Sequence, residues 1–433
     1  MIELENSINS ILKNDRLTFS EKLLSLKRCD FPLKIAYAGE IIAASVDFSM
    51  ATDGTGPLAI KIFKEMRAEK LWDPKKVLLN IDHTYPASSE QIASLHKLMR
   101  EFAKEQGCLI QEGDIGHQYM LEHISTSGML IVGADSHTIM HGALGAFATG
   151  LGSTEIAAVW ASGEIWFKVP ESIKVILEGE LPKGVYAKDI SLSLIGTIKS
   201  DGANYKSIEY SGNLIKKLSI DSRACICNMS MEAGAKAAIV EQDDITKAFL
   251  ESVLRKPIIE VHAGKKAHYE DEIIIEVDKI EPLVAAPDKV DNVKTVNEVY
   301  GTPIDQAFIG SCTNGRLEDL EIAASIVKNH KVKDSVRFII TPASRKVFLA
   351  ALRKGIISKL EKAGAIVTNP TCGACVGTHM GLLASGEVCI SSSNRNFKGR
   401  MGSTESKIFL ASPATVAASA IDGFISDPRR YLE

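Results

Sequence analysis

The sequence predicts an α/β protein in layers, and three observations carry that prediction. Short apolar runs alternate with helix-periodic segments through the first and last thirds of the 433 residues. Each run is followed at once by chemically distinctive polar residues, whether Asp-His, Gly-His, Cys or Asn-Arg. Between them, after Phe167-Lys168-Val169-Pro170, the texture changes to alternating strands. Ligands of open parallel sheets gather beyond the carboxyl ends of the strands. The first and last parts should therefore be α/β layers facing a shared cleft. The expected domains are 1–169, 170–286 and 287–433, with the Lys/Asp-rich stretch 287–294 as a linker.

Residues 56–72 have helical periodicity, with Leu58, Ile62 and Met66 on one face. Residues 77–81 read as a strand leading into Asp82-His83-Thr84. Ser88-Ser89 caps a strong helix with Ile92, Leu95, Met99 and Phe102 as its apolar positions. Residues 108–111 and 129–132 read as further strands, leading to Gly116-His117 and to Gly133-Ala134-Asp135-Ser136-His137-Thr138. The Gly/Ala-rich run 142–152 permits close backbone packing. Residues 172–178 and 273–277 alternate as solvent-flanked strands. The last third supplies strands at 307–309, 336–340, 365–367 and 388–390, with a helix beginning near Leu317 and another ending near Phe424.

Composition excludes several classes. Hydrophobic residues make up 45% and charged residues 24%, ordinary for a soluble protein with a large core. Fifty basic residues face 54 acidic ones, a net charge of −4, which argues against a nucleic-acid surface. Residues 1–13 lack the basic start and apolar centre of a signal peptide. No apolar run approaches the roughly 18 residues of a membrane helix. Eight scattered cysteines are too few for a disulfide scaffold and suit the reducing cytoplasm. Cys29, Cys108 and Cys389 read as small core or surface residues. Cys225 and Cys227, two apart, should face one side of a strand.

Cys312 lies in the loop Gly310-Ser311-Cys312-Thr313-Asn314, and Cys372 and Cys375 share Pro370-Thr371-Cys372-Gly373-Ala374-Cys375. Three loop thiols could meet at one metal site. Structural zinc usually takes a fourth protein ligand. A 4Fe–4S cluster on three cysteines would leave one iron open to substrate, as a Lewis acid. Spacing alone leaves open a plain tight turn beside a buried thiol.

Three histidines sit in polar clusters after strands: Asp82-His83, Gly116-His117-Gln118 and Asp135-Ser136-His137. A carboxylate beside an imidazole raises its pKa and fixes its tautomer, which suits proton transfer. Turn chemistry alone would explain any one such cluster. Histidines 96, 123, 141, 262, 268, 330 and 379 lack this context and read as structural or surface residues. The run 391–400 places Arg395 and Arg400 in one polar loop, suited to bidentate carboxylate or phosphate binding. Its bland reading is a solvated loop in which Ser403-Thr404 caps a following helix.

Together these motifs resemble the aconitase superfamily, specifically the large chains of its two-chain members, over essentially the whole sequence. Residues 309–316, 370–375 and 394–402 are specific in combination, and 133–138 and 227–235 add independent matches. The resemblance implies three α/β domains of the aconitase type around a central Fe–S cleft. It implies one 4Fe–4S cluster held by Cys312, Cys372 and Cys375. It pairs His83 with Asp82, His117 with Asp135, and His137 with Glu232, with His83 protonating a leaving hydroxyl. Ser136, Asn228 and Asn394 would lie near substrate or cluster, and Arg395 and Arg400 would bind a substrate carboxylate.

Two departures from the family are informative. Nothing after residue 424 could form the mobile fourth domain that supplies the catalytic serine in single-chain members, so a separate small subunit is expected to bring it. Thr52 stands where the family often has His or Gln. The expected activity is a hydro-lyase isomerising a 2-hydroxy di- or tricarboxylate through dehydration and rehydration. The competing expectations are an iron-sensing RNA-binding protein and a zinc enzyme using the same thiols.

Overall fold

Parallel pairing requires a crossover connection, usually a helix, and the first third provides one repeatedly. The computed structural model describes residues 2–432. Its first sheet runs in the order Leu109–Glu112, Val77–Ile81, Phe48–Thr52, Leu130–Gly133, Phe147–Gly150, with every pair parallel. Val77–Ile81 and Phe48–Thr52 are buried along their whole length, as strands covered on both faces must be.

The helix Gly56–Glu65 presents a different face from the expected one. Ala59, Ile60 and Phe63 are buried, whereas Leu58 is 53% and Met66 48% exposed. Aromatic packing decides the orientation: Phe63 meets Phe102 edge-on at 5.7 Å and Trp160 at 6.4 Å. The helix also stops before Trp72. Glu90–Gln106 is helical as expected, with Ser89 Oγ accepting the Ile92 N–H at 3.3 Å and Gly107 closing it at φ +72°. Met99 and Phe102 point inward and Leu95 outward.

The second sheet is also parallel, in the order Ala237–Val240, Ser207–Ser211, Ser172–Glu178, Asp271–Glu276. The first sheet's loops press against it. A Cβ on Gly142 would lie 1.7 Å from Ala238 O, so only glycine fits there. Cys225 and Cys227 lie on the helix Ile220–Met229, not on a strand. Ser219 caps that helix by accepting the Ser222 N–H.

The third sheet has seven strands: Val293–Thr295, Leu283–Ala285, Lys407–Ala411, Val388–Ser391, Gln306–Ile309, Arg337–Ile340, Ile366–Val367. The last five are parallel. Leu283–Ala285 pairs antiparallel with both of its neighbours. The stretch 287–294 is therefore chiefly the loop of a hairpin at the sheet edge rather than a linker. The Asn396 amide holds it, donating to Ala286 O at 2.7 Å and Lys289 O at 3.3 Å. Ser403-Thr404 precede the strand Lys407–Ala411, not a helix. One buried cluster includes Leu144, Ile208 and Phe308, so residues of all three parts share apolar packing. No helix among the described residues is long and apolar enough to cross a membrane.

Candidate active site

The strand ends converge. Val77–Ile81 delivers Asp82 and His83, Leu130–Gly133 delivers Asp135 to His137, and Gln306–Ile309 delivers Cys312. Hydrogen bonds then tie the loops together. Asp82 O accepts the Cys372 N–H at 2.8 Å and the Thr371 hydroxyl at 2.6 Å, and His83 O accepts the Thr378 hydroxyl at 2.7 Å. The Cys372 loop is thus fastened to the Asp82-His83 turn.

His83 Nδ1 lies 2.7 Å from Asp82 Oδ1 and 3.4 Å from Asp53 Oδ1, and its Nε2 is 3.8 Å from Asp135 Oδ2. Burial opposes charge on this imidazole, but the carboxylates of Asp82 and Asp53 outweigh it and hold the ring's pKa well above the ordinary range. Asp53 is a residue the motifs did not single out. Its carboxylate accepts the backbone N–H groups of Asp82, His83 and Thr84 and lies 3.2 Å from His96 Nε2. Burial pushes its pKa up, but His83 and these donors bring it far below the carboxylate range.

His117 Nε2 lies 2.9 Å from Asp135 Oδ1, and that oxygen also accepts the His137 N–H at 2.8 Å. His137 Nε2 lies 3.1 Å from Glu232 Oε1. Arg395 Nε donates to both Glu232 oxygens, at 2.9 and 3.1 Å, and its Nη2 to Ser136 Oγ at 3.0 Å. Burial raises the Glu232 carboxyl, yet His137 and Arg395 leave it below its usual value. Arg400 Nε is buried with no partner among the described residues, and the Arg400 carbonyl lies against Gly377, just beyond Cys375.

The three thiols share this centre. Cys312 and Cys375 are buried and Cys372 is partly so. Burial, then the neighbouring Cys375 and Asp135, push the Cys312 thiol up to about 12. Burial also holds Cys372 well above the ordinary thiol range, with Asp82, Cys312 and Cys375 adding to it. Two amides are aimed at sulfur: Asn228 Nδ2 donates to Cys312 Sγ at 3.1 Å and Asn394 Nδ2 to the same atom at 3.6 Å. Among the described residues, the only His, Cys, Asp and Glu ligand atoms lying three together within 4.8 Å belong to Asp82, His83 and Cys372. The cysteine sulfurs are therefore spread too widely for one zinc ion. Converging thiols with donors directed at sulfur fit a polynuclear iron–sulfur group.

Two further buried cations hold the loops, and no motif announced the first. Lys188 Nζ donates to Ser392 O at 3.0 Å and Ser393 O at 2.7 Å, directly before Asn394 and Arg395. Arg316 donates to Cys312 O, Thr313 O and Gln118 Oε1, pinning the Cys312 loop to the first layer. Thr52 is buried, with its hydroxyl 3.2 Å from that of Thr55. Cys225 lies beside Asn314, and Cys389 is buried within its strand.

Comparison with known proteins agrees with this geometry. The model of the aconitase family (aconitate hydratase) matches residues 33–423. The chain belongs to the aconitase family. Proteins of this family bind a 4Fe–4S cluster. The chain is a hydro-lyase. It is 48% identical over 421 residues to 3-isopropylmalate dehydratase large subunit 1 of Methanopyrus kandleri, covering 96% of this chain and 99% of that one. It is 51% identical over 397 residues to the large subunit 1 of the same name from Archaeoglobus fulgidus, covering 91% and 95%. It is 50% identical over 392 residues to a probable methanogen homoaconitase large subunit of Methanosarcina mazei, covering 89% and 99%. These aconitase-family names lend no support to the RNA-binding expectation.

Proposed function

We propose that this chain is the cluster-bearing large subunit of 3-isopropylmalate dehydratase. It would interconvert 2- and 3-isopropylmalate for leucine biosynthesis in the cytoplasm, together with a small subunit that carries the mobile domain and its serine base. The observation that carries the reading is one cleft wall holding three cysteines, three His–carboxylate pairs and two arginines, in a chain about half identical to large subunits of that name. Cys312, Cys372 and Cys375 would hold a 4Fe–4S cluster. When bound, such a group supplies an iron without a protein ligand, a Lewis acid for a substrate hydroxyl and carboxylate.

The chain's own residues do the rest. His83, kept charged by Asp82 and Asp53, gives a proton to the departing hydroxyl. Arg395 is oriented by Glu232 and Ser136 through Nε and Nη2, which leaves Nη1 to face a substrate carboxylate. The unpartnered Arg400 Nε offers a second donor. Asn228 and Asn394 donate toward the Cys312 sulfur and stabilise its thiolate. We also propose that the three larger sheets mark three domains. Leu283–Ala285 belongs to the third sheet, so the second boundary falls a few residues before 286.

A homoaconitase large subunit is the second reading, favoured by the similarity to the Methanosarcina mazei protein. Co-purification with the small subunit, followed by a panel of substituted malates and homocitrate, separates the two. Preferred turnover of isopropylmalate supports the first reading, and preferred turnover of homocitrate replaces it. Full activity of this chain alone would refute the two-subunit claim.

A further inference from the structure

Two histidine nitrogens beside the site are buried and have no partner among the described residues: Nδ1 of His117 and Nε2 of His141. Their rings lie 5.7 Å apart, tilted by 49°. The other nitrogen of each ring is engaged. His117 Nε2 faces Asp135 Oδ1 at 2.9 Å, and His141 Nδ1 faces Ser125 Oγ at 2.9 Å. Leaving two such nitrogens unpaired in the interior is costly, because each has given up its water without gaining a partner.

The proton positions follow from the outer partners. A carboxylate only accepts, so the nitrogen of His117 facing Asp135 carries a proton. The Ser125 hydroxyl is buried, and His141 Nδ1 is the one acceptor within its reach among the described residues. The hydroxyl therefore donates, which leaves the proton of a neutral His141 on Nε2. His141 is neutral: burial, with the Arg255 and Arg316 charges adding to it, holds its pKa well below the ordinary imidazole range. The two outer bonds then run in one direction, from Ser125 to His141 and from His117 to Asp135.

We propose that His141 is a positioning residue for His117: its Nε2–H is given, through one ordered water, to His117 Nδ1. This fixes the tautomer in which His117 offers Nε2–H to Asp135. The second partner of an imidazole sets which nitrogen carries the proton. Two buried, unpaired nitrogens on neighbouring rings are what one bridging water would satisfy. The relevance to turnover rests on the proposed hydratase reading, whereas the tautomer does not.

The test uses the full chain labelled with 15N-histidine, its His117 signals assigned by their loss in His117→Asn. In the wild-type chain His117 should show a protonated Nε2 and a hydrogen-bonded, unprotonated Nδ1. A protonated Nδ1, alone or with Nε2, overturns the proposal without any variant having to fold. In His141→Leu the signals should move toward mixed tautomers, and kcat of the complete enzyme should fall on the order of tenfold with KM little changed. His141→Gln, which keeps an acceptor and a donor, should restore both readouts. A folded His141→Leu chain with unchanged His117 signals sinks the idea. If the signals change as described while the complete enzyme dehydrates none of the substrates, the hydratase reading fails and the tautomer assignment stands.

Discussion

Asn228 donates its side-chain amide to the Cys312 sulfur at 3.1 Å, while its own oxygen accepts the Thr313 hydroxyl at 3.0 Å. The amide is thus oriented with its donor end toward sulfur, the orientation that favours a thiolate. Outer-shell donors of this kind change metal affinity by about 10–100-fold. Asn228→Ala should therefore keep the fold but lose iron faster, followed as decay of visible absorbance under air. Decay at the wild-type rate would remove Asn228 from this role.

The Asp82–His83 pair sets a pH dependence. The imidazole's folded pKa is raised, so its charged form persists through neutral pH and is lost only as pH rises through that higher value. Activity that needs protonated His83 should decline on the alkaline side. Asp82→Asn removes one of the carboxylates responsible and should move that decline to lower pH by roughly one unit or more. The kcat/KM profile of the two-subunit enzyme reads the shift, and an alkaline limb that stays in place would exclude His83 as its source.

Asp189 offers a stability counterpart away from the chemistry. Burial pushes its carboxyl up to about 7, despite the N–H groups it accepts from Leu283 and Tyr186. A raised folded pKa means that this group's contribution is complete below the unfolded value of about 3.9 and is lost as pH rises through about 7. Stability of the wild type should fall across that window, and Asp189→Asn should flatten the fall. Denaturation midpoints at several pH values measure it; equal slopes for both chains would contradict the assignment.

Gly142 tests the seam between the first and second layers. An added methyl would meet Ala238 O at 1.7 Å, a backbone atom that cannot turn aside. Gly142→Ala should destabilise the chain by about 1–3 kcal/mol, read from its urea midpoint. An unchanged midpoint would mean the seam is looser than it stands.

Much of this architecture is legible in the sequence because local pattern and tertiary demand agree. Residues 77–81 and 172–178 are continuous or alternating apolar runs, and both are strands at those bounds. Each distinctive polar cluster follows a strand, as parallel sheets require. The failures have physical causes. In Gly56–Glu65 two apolar faces compete, and the one meeting Phe102 and Trp160 wins. The 287–294 stretch has a linker's composition, but the strand it folds back on, Leu283–Ala285, is held in the sheet by Lys407–Ala411, more than a hundred residues on and beyond any local signal. Asp53 carries no motif, since its task is to accept N–H groups from a turn some thirty residues away. Lys188 and His141 look ordinary in sequence and become informative only through burial and through what their nitrogens do or do not meet.

Everything proposed for the chemistry depends on Cys312, Cys372 and Cys375 holding an iron–sulfur cluster. Iron and acid-labile sulfide, counted in the anaerobically reconstituted chain beside Cys312→Ser, Cys225→Ser and Cys389→Ser, test it most directly. About four of each per chain are expected in the wild type and in the Cys225 and Cys389 variants, with loss of both in Cys312→Ser. A colourless zinc-containing wild type, or a Cys312→Ser chain that keeps its full iron, would contradict it.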